Sequence, residues 1–577
     1  MNQFEQEAHD KALAAYKANS AERKELQAKG WVPMWYTTQA WQMFKERYAV
    51  DGEQAVLGRF KTIARVLAAY LPVKYQKEYE QKFFDLMWNQ ILSPASPVLA
   101  NTGTDRGMNV SCSGQYVEDS VWGFYEAMKE TAMLSKYGFG TSGHFSDIRS
   151  RKSPISTGGT ANGAKVVIDD FFTAAAKISH GGMRKGSFAA YIDMDSGDYY
   201  EALNSLRTDH KGKNYGWILK DSFINKLKAG DKEANQRWQD ALHVKLLTGK
   251  GYLFFPDKAN RHRPQMYKDL GLDIKATNLC TEIMLHSSSE YTYSCILSSI
   301  NLFHWDKIKG TDAIFTSMVF LDCLCSDFIA KSEGKKGLEK VREFTIKGRA
   351  VGLGTMGFAT YLQDHMVPYD SLEASYLNKE MFKALHDETL RASQWLAQEL
   401  GEPEWCKGYG VRNTHRTAQA PTKSTATLMG SMSESTSQDP GWVYTLGSSV
   451  GELERIPPVI LRLMKERGVY NQETLDRIIA HLGSVQQEDW LSDEEKLVFR
   501  NAFETDPWAT FRMARQRQKY LCQGQSINFF LAETPESEQQ ISDIMSACVL
   551  DEEILSQYYL YTRSGVTIND ECIACAA

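Results

Sequence analysis

Between residues 93 and about 450, helical spacing alternates with short apolar runs and Gly-rich turns, and this alternation constrains the fold more than any other feature of the chain. The runs "GYLFF" (251–255) and "AVGLGTMGFA" (350–359) have strand length and lie among turn formers. Parallel strands need long crossover connections, which helices supply, so the pattern predicts an α/β fold with a largely parallel sheet. Residues 38–92 instead place apolar side chains at helical intervals: Trp41, Phe44, Tyr48, Phe60, Ile63, Val66, Leu67 and Tyr70. They predict a helical N-terminal domain over 1–92, its first 30 residues a charged, solvated helix or a loose arm. The texture changes at "SPASPVLANTGTDRG", which is rich in turn formers. Residues 450–555 read as mostly helical, and the small, polar residues 563–577 as a mobile tail.

The chain has 577 residues, more than one ordinary domain of ~150 residues requires. A net charge of -6 argues against a general nucleic-acid-coating role, because phosphate binding needs clustered Lys and Arg. No apolar run approaches the ~20 residues of a membrane span. The polar, charged N-terminus is not a secretory signal. Ten cysteines in such a length are too sparse for a disulfide scaffold, so a reducing cytoplasm is expected. Closely spaced cysteines there are catalytic or metal-binding.

The stretch "TNLCTEIM" (277–284) sets Cys280 between Asn278 and Glu282. Read as extended chain, it puts all three side chains on one face, with neighbours ~7 Å apart. A sugar ring bridges that spacing and meets an amide, a thiol and a carboxylate together. The alternative is a buried structural cysteine, since free Cys is among the most buried residue types. Two further cysteines bear on the choice. Cys112 lies in "MNVSCSGQYVEDS" and Cys295 in "YTYSCILSSINLF", each directly after a serine and in strand-like surroundings.

In the order Ser-Cys, Asn-Leu-Cys-x-Glu, then a cysteine followed by Ser-x-x-Asn-Leu, the chain resembles the large, catalytic subunit of class I ribonucleotide reductase. The resemblance runs from about residue 40 to the end. It implies a ten-stranded α/β barrel over 93–562, built of two five-stranded parallel half-sheets around a central finger loop. It also implies an activity, the reduction of ribonucleotides, expected as diphosphates, to 2′-deoxyribonucleotides. Cys280 would carry a thiyl radical that abstracts the ribose 3′-hydrogen. Glu282 would take the 3′-hydroxyl proton and Asn278 orient the substrate. Cys112 and Cys295 would supply two electrons and become a disulfide.

A hydroxyl-dense stretch, "LMGSMSESTSQDPGW" (428–442), holds Ser433, Glu434, Ser435, Thr436 and Ser437. It reads either as an ordinary Ser-rich loop or as a phosphate-binding turn. The resemblance favours the second and adds Ser96 and Ser111 at the substrate. It further matches Asp119, Arg149, Lys152 and Arg184 to a site for a nucleoside triphosphate effector, since cations suit triphosphates. In "ILSQYYLYTRSG" (554–565), Tyr558 and Tyr559 are core aromatics on their own, and a radical relay by resemblance. A relay implies a ferritin-like partner subunit with a dinuclear metal centre, and neither metal nor other cofactor in this chain. A glycyl-radical enzyme is disfavoured, because Gly565 lacks the expected surroundings.

Near the end, "ECIACAA" carries Cys572 and Cys575. Two ligands are half of a closed zinc site; a redox pair is the other reading. By resemblance, this tail reduces the Cys112–Cys295 pair and is itself reduced by thioredoxin or glutaredoxin. The resemblance also implies a homodimer. Many relatives begin with an ATP-binding cone; here a helical domain fills the space before the match, and no cone-like motif is present. Two other readings stand beside the leading one: an adenosylcobalamin-dependent reductase of the same barrel, and a non-catalytic nucleotide-binding protein.

Overall fold

In the computed structural model the described residues are 3–180, 184–448, 451–532, 534 and 536–563, with backbone alone at 3–13, 179–180, 184–185, 295, 445–448 and 451–454. Cys572 and Cys575 lie outside them. The chain opens with four helices: α1 (Gln3–Ala28), α2 (Thr38–Arg47), α3 (Ala55–Ala68) and α4 (Val73–Trp88). Thr37 caps α2 by accepting the Ala40 amide, and Pro72 starts α4, both usual helix-start residues. Trp41, Phe44, Tyr48, Phe60, Ile63 and Leu67 are buried, as their spacing predicts.

These helices do not own a separate core. Their apolar faces join one cluster with helix Ala313–Lys331, helix Leu372–Leu400 and the barrel strands behind them. Helix Ala313–Lys331 corrects the expectation that no stretch is apolar and long enough to cross a bilayer: by length and composition it is. It is instead a core helix, 83% buried over that stretch, apolar all round because α3, α4 and helix Leu372–Leu400 surround it. Its Asp322 marks the difference. The carboxylate accepts from Arg349 Nε at 2.8 Å, Arg412 Nε at 3.0 Å and Asn413 Nδ2 at 2.9 Å. Burial alone would raise this carboxyl, but the two guanidiniums outweigh it and hold it at about 2.

The strands follow in chain order: β1 (Leu92–Pro94), β2 (Cys112–Tyr116), β3 (Gly140–His144), the short pair β4 (Ser179–His180) and β5 (Arg184–Lys185), β6 (Phe188–Asp193), β7 (Tyr215–Ile218), β8 (Tyr252–Phe254), β9 (Tyr293–Cys295), β10 (Leu297–Asn301), β11 (Gly352–Met356), the hairpin β12 (Tyr444–Ser448) and β13 (Gly451–Arg455), β14 (Phe529–Leu531), β15 (Ser556–Gln557) and β16 (Leu560–Thr562). Strands β2, β3, β6, β7 and β8 form one parallel half-sheet, joined by helices. Antiparallel β9 and β15 flank it. The runs at 251–255 and 350–359 become β8 and β11.

The second half departs from five regular parallel strands. Strands β10 and β11 form a parallel ladder with β1 antiparallel at the edge, and β14 pairs in parallel with β16. Beyond β11 the sheet continues through single parallel bridges, Leu353 to Thr417 and Gln419 to Gln525. Side-chain amides account for this. Gln419 Oε1 accepts from Thr355 N at 3.1 Å and its Nε2 donates to Thr355 O at 2.7 Å, so a side chain replaces a backbone rung. One extended run, β9 into β10, links the halves at one side. On the other, Tyr558 N donates to Ile527 O and Phe529 N to Tyr559 O. The curled sheet is thereby a barrel, with the helices outside.

Candidate active site

A loop enters the barrel between Ala276 and Met284, and Cys280 is at its tip. The three predicted side chains do meet, but not through strand alternation. The segment is a tight turn, with Thr281 N bonded to Asn278 O and Thr281 at φ 72. A β-branched residue there costs about 1–2 kcal/mol, so the surroundings must hold the turn. They do so from several strands. Tyr191 OH, on β6, donates to Asn278 O at 2.7 Å; Ser526 Oγ to Cys280 O at 2.5 Å; Ser556 Oγ, on β15, to Thr281 O at 2.8 Å. Tyr191 reaches the loop because β7 has glycine beside it: a Cβ on Gly216 would lie 2.1 Å from its ring. Burial pushes the Tyr191 phenol well above its usual range, keeping it a neutral donor.

Cys280 and Glu282 line a cavity that opens to solvent. Asn278 does not line it. Asn278 is fully buried and braces Glu282 from behind, its Nδ2 donating to Glu282 Oε2 at 3.0 Å while Ser526 Oγ donates to the same oxygen at 3.1 Å. The amide therefore orients the carboxylate rather than facing the cavity. Across the cavity stand Ser111 and Cys112, at the start of β2. Cys112 is in register with Cys295 on antiparallel β9. Facing Cα atoms in such a pair are about 4.5–5.5 Å apart, within the range a disulfide spans. Ser96 lines the rim, and its Oγ is 2.9 Å from Tyr48 OH, so the N-terminal helices position part of the site.

The hydroxyl-rich wall is not the predicted one. Thr422, Ser424 and Thr425, with Lys423, line the cavity at the start of helix Lys423–Leu428; the 433–437 turn does not. Its groups are used elsewhere. Ser433 Oγ accepts from Thr360 N at 3.0 Å, Glu434 pairs with Arg455 at 3.0 Å, Ser435 Oγ accepts from Gln419 Nε2 at 2.7 Å, and Thr436 O accepts from Tyr369 OH. Ser437 borders a separate small pocket. The turn still supports the site, since Ser435 N donates to Thr422 Oγ1 at 2.8 Å. The overlooked signal is "PTKST" (421–425), three hydroxyls at a Pro-led helix start.

Tyr558 OH lies 3.4 Å from Cys280 Sγ, and the Tyr558 and Tyr559 rings are 4.3 Å between centroids. Beneath them Lys245 is fully buried, its Nζ donating to Gly251 O at 2.9 Å and Tyr558 O at 3.0 Å. Burial pushes this ammonium down to about 7. Sequence reasoning did not find Tyr191, Lys245 or Ser526, which bear on the site only through the fold. Away from the cavity, Arg149 Nε pairs with Asp119 Oδ2 at 2.7 Å, joining two predicted effector residues. Lys152 is exposed nearby in sequence, and Arg184 is described by its backbone alone, in β5.

Two family models match the chain: the ribonucleotide reductase all-alpha domain over residues 34–107, and the ribonucleotide reductase barrel domain over 110–239, 225–408 and 402–550. A putative ribonucleoside-diphosphate reductase large subunit of Frog virus 3 is 31% identical, over 93% of this chain and 98% of that protein. A vitamin B12-dependent ribonucleoside-diphosphate reductase of Thermoplasma acidophilum is 29% identical, over 78% of this chain and 61% of its own length. Among solved structures, the class Id ribonucleotide reductase alpha subunit of Actinobacillus ureae superposes with a TM-score of 0.84 at 36% identity, covering 92% of this chain and 98% of that one. With barrel, finger loop and both domain models in agreement, the chain belongs to the ribonucleotide reductase family, as its large, catalytic subunit.

Proposed function

We propose that this subunit makes 2′-deoxyribonucleotides from ribonucleoside diphosphates by a thiyl-radical mechanism centred on Cys280. The observation that carries the reading is the contact of one thiol with two kinds of chemistry: the Cys280 sulfur faces a cavity shared with Glu282 and Cys112, and lies 3.4 Å from the Tyr558 hydroxyl. A tyrosyl radical at Tyr558 takes the hydrogen atom of the Cys280 thiol, regenerating the phenol. The thiyl radical abstracts the ribose 3′-hydrogen, and Glu282, held by Asn278 and Ser526, accepts the 3′-hydroxyl proton. The 2′-hydroxyl leaves as water with a proton from one of the Cys112–Cys295 thiols. Those two thiols give two electrons and become a disulfide, and Cys280 returns hydrogen to C3′. The tail cysteines Cys572 and Cys575 restore the pair, with thioredoxin or glutaredoxin as their reductant.

The oxidising equivalent comes from the dinuclear metal centre of a ferritin-like partner subunit and enters through Tyr559. The contact between the Tyr558 and Tyr559 rings, edge to face at 4.3 Å, supports this source over adenosylcobalamin, which needs no tyrosine relay. Purified chain turns over ribonucleoside diphosphate with such a partner and thioredoxin, and is inert with adenosylcobalamin alone; the reverse result rejects the relay. A nucleoside triphosphate at Asp119, Arg149, Lys152 and Arg184 sets substrate choice. Exposed Val121, Trp122 and Tyr125, on the helix after Asp119, support a homodimer.

The substrate diphosphate binds at the 422–425 turn, whose residues line the cavity at a helix start. The double variant Ser424→Ala/Thr425→Ala raises KM by roughly tenfold to a hundredfold, the loss of hydrogen bonds to a charged group. Ser433→Ala leaves KM within about twofold of the parent, since that hydroxyl bonds Thr360 N outside the cavity. The opposite ranking in steady-state assays would restore the 433–437 turn as the phosphate site.

A further inference from the structure

Tyr252, on β8, is buried and touches both relay tyrosines. Its OH donates to Tyr559 OH at 3.0 Å, and its ring lies 4.8 Å from that of Tyr558 and 5.4 Å from that of Tyr559, centroid to centroid. The three phenols form a closed triangle, with the edge-to-face Tyr558–Tyr559 contact at 4.3 Å as its third side. The triangle is held rigidly. Lys245 bridges the carbonyl of Gly251, just before Tyr252, to that of Tyr558, and β8 pairs directly with β15, which leads into the tyrosine pair.

We propose that Tyr252 is a third redox-active tyrosine, which exchanges a hydrogen atom with Tyr559. This rests on the relay reading above, with the partner's metal centre as the one-electron oxidant. In the exchange, the Tyr252 O–H bond breaks, one proton and one electron pass along the existing hydrogen bond, and a Tyr559 O–H bond forms. The radical moves from Tyr559 to Tyr252 with no other reactant. Because both partners are phenols, the step has almost no driving force in either direction. Contact with the Tyr558 ring gives the radical a second path to the residue beside Cys280. Tyr191 is a contrast: equally buried and close to the finger loop, it donates to a backbone carbonyl, which is not an oxidisable partner.

The test places 3-aminotyrosine, a more easily oxidised phenol, at position 252 or position 558 of the full chain. Each variant is mixed with the metal-loaded partner, ribonucleoside diphosphate and effector. An aminotyrosyl radical in the electron paramagnetic resonance spectrum at both positions is the expected result. A radical at 558 with none at 252 overturns the proposal and leaves the relay intact. No radical at either position, with substrate and partner still bound, rejects the relay itself and the proposal with it. Tyr252→Phe provides a second measurement: turnover falls roughly tenfold, the effect of losing one hydrogen bond along the path, at unchanged substrate affinity. Parent-level turnover in that variant would overturn the proposal as well.

Discussion

Cys280→Ser eliminates nucleotide reduction, by roughly 10⁴-fold or more, while substrate and effector still bind. The reason is bond strength: a phenoxyl radical can take hydrogen from a thiol, but a serine O–H bond is far stronger and does not yield to it. The replacement is nearly isosteric, and the loop is held through the carbonyls of Asn278, Cys280 and Thr281, none of which the substitution removes. Loss of turnover with retained binding therefore isolates the sulfur from the fold. Calorimetric titration with ribonucleoside diphosphate, beside a steady-state assay, checks both halves. Residual reduction above a hundredth of the parent rate would contradict the central role of this thiol.

Tyr558→Phe has a comparable effect for a different reason. It keeps the ring that packs at 4.8 Å from Tyr252 and 4.3 Å from Tyr559, and deletes only the hydroxyl 3.4 Å from the Cys280 sulfur. Phenylalanine cannot carry a proton-coupled hole at the potential of tyrosine. Turnover should fall by roughly 10⁴-fold with substrate affinity and partner binding unchanged, the pattern of a group needed only in a chemical step. Turnover within tenfold of the parent would remove Tyr558 from the path. The two variants separate further by spectroscopy: blocking Cys280 leaves the tyrosines oxidisable, whereas blocking Tyr558 stops the hole at Tyr559 and Tyr252.

The sequence made legible what depends on local pattern and on linear motif. Helical spacing placed α2 to α4, and short apolar runs placed β8 and β11. The cysteine motifs brought Cys112, Cys280 and Glu282 to one cavity. What was hidden depends on tertiary substitution. The second half-sheet looks incomplete because the side chain of Gln419 stands in for a rung, which no propensity reveals. The Asn278–Glu282 contact was misjudged in form, because a left-handed Thr281 is not signalled by residue type. The density of serines at 433–437 outweighed the sparser hydroxyls at 422–425, yet only the latter face the cavity. Counting hydroxyls measures capacity to bind, and the fold decides which way they point.

The bond from Ser556 to the Thr281 carbonyl has a mechanical consequence. Ser556 is two residues before Tyr558, so the segment bearing the proposed hydrogen acceptor also grips the turn bearing its proposed donor. The Tyr558 oxygen and the Cys280 sulfur, 3.4 Å apart, therefore share one mount. Tunnelling rates fall exponentially with separation, so a shared mount keeps that transfer uniform over the thermal fluctuations of a large molecule.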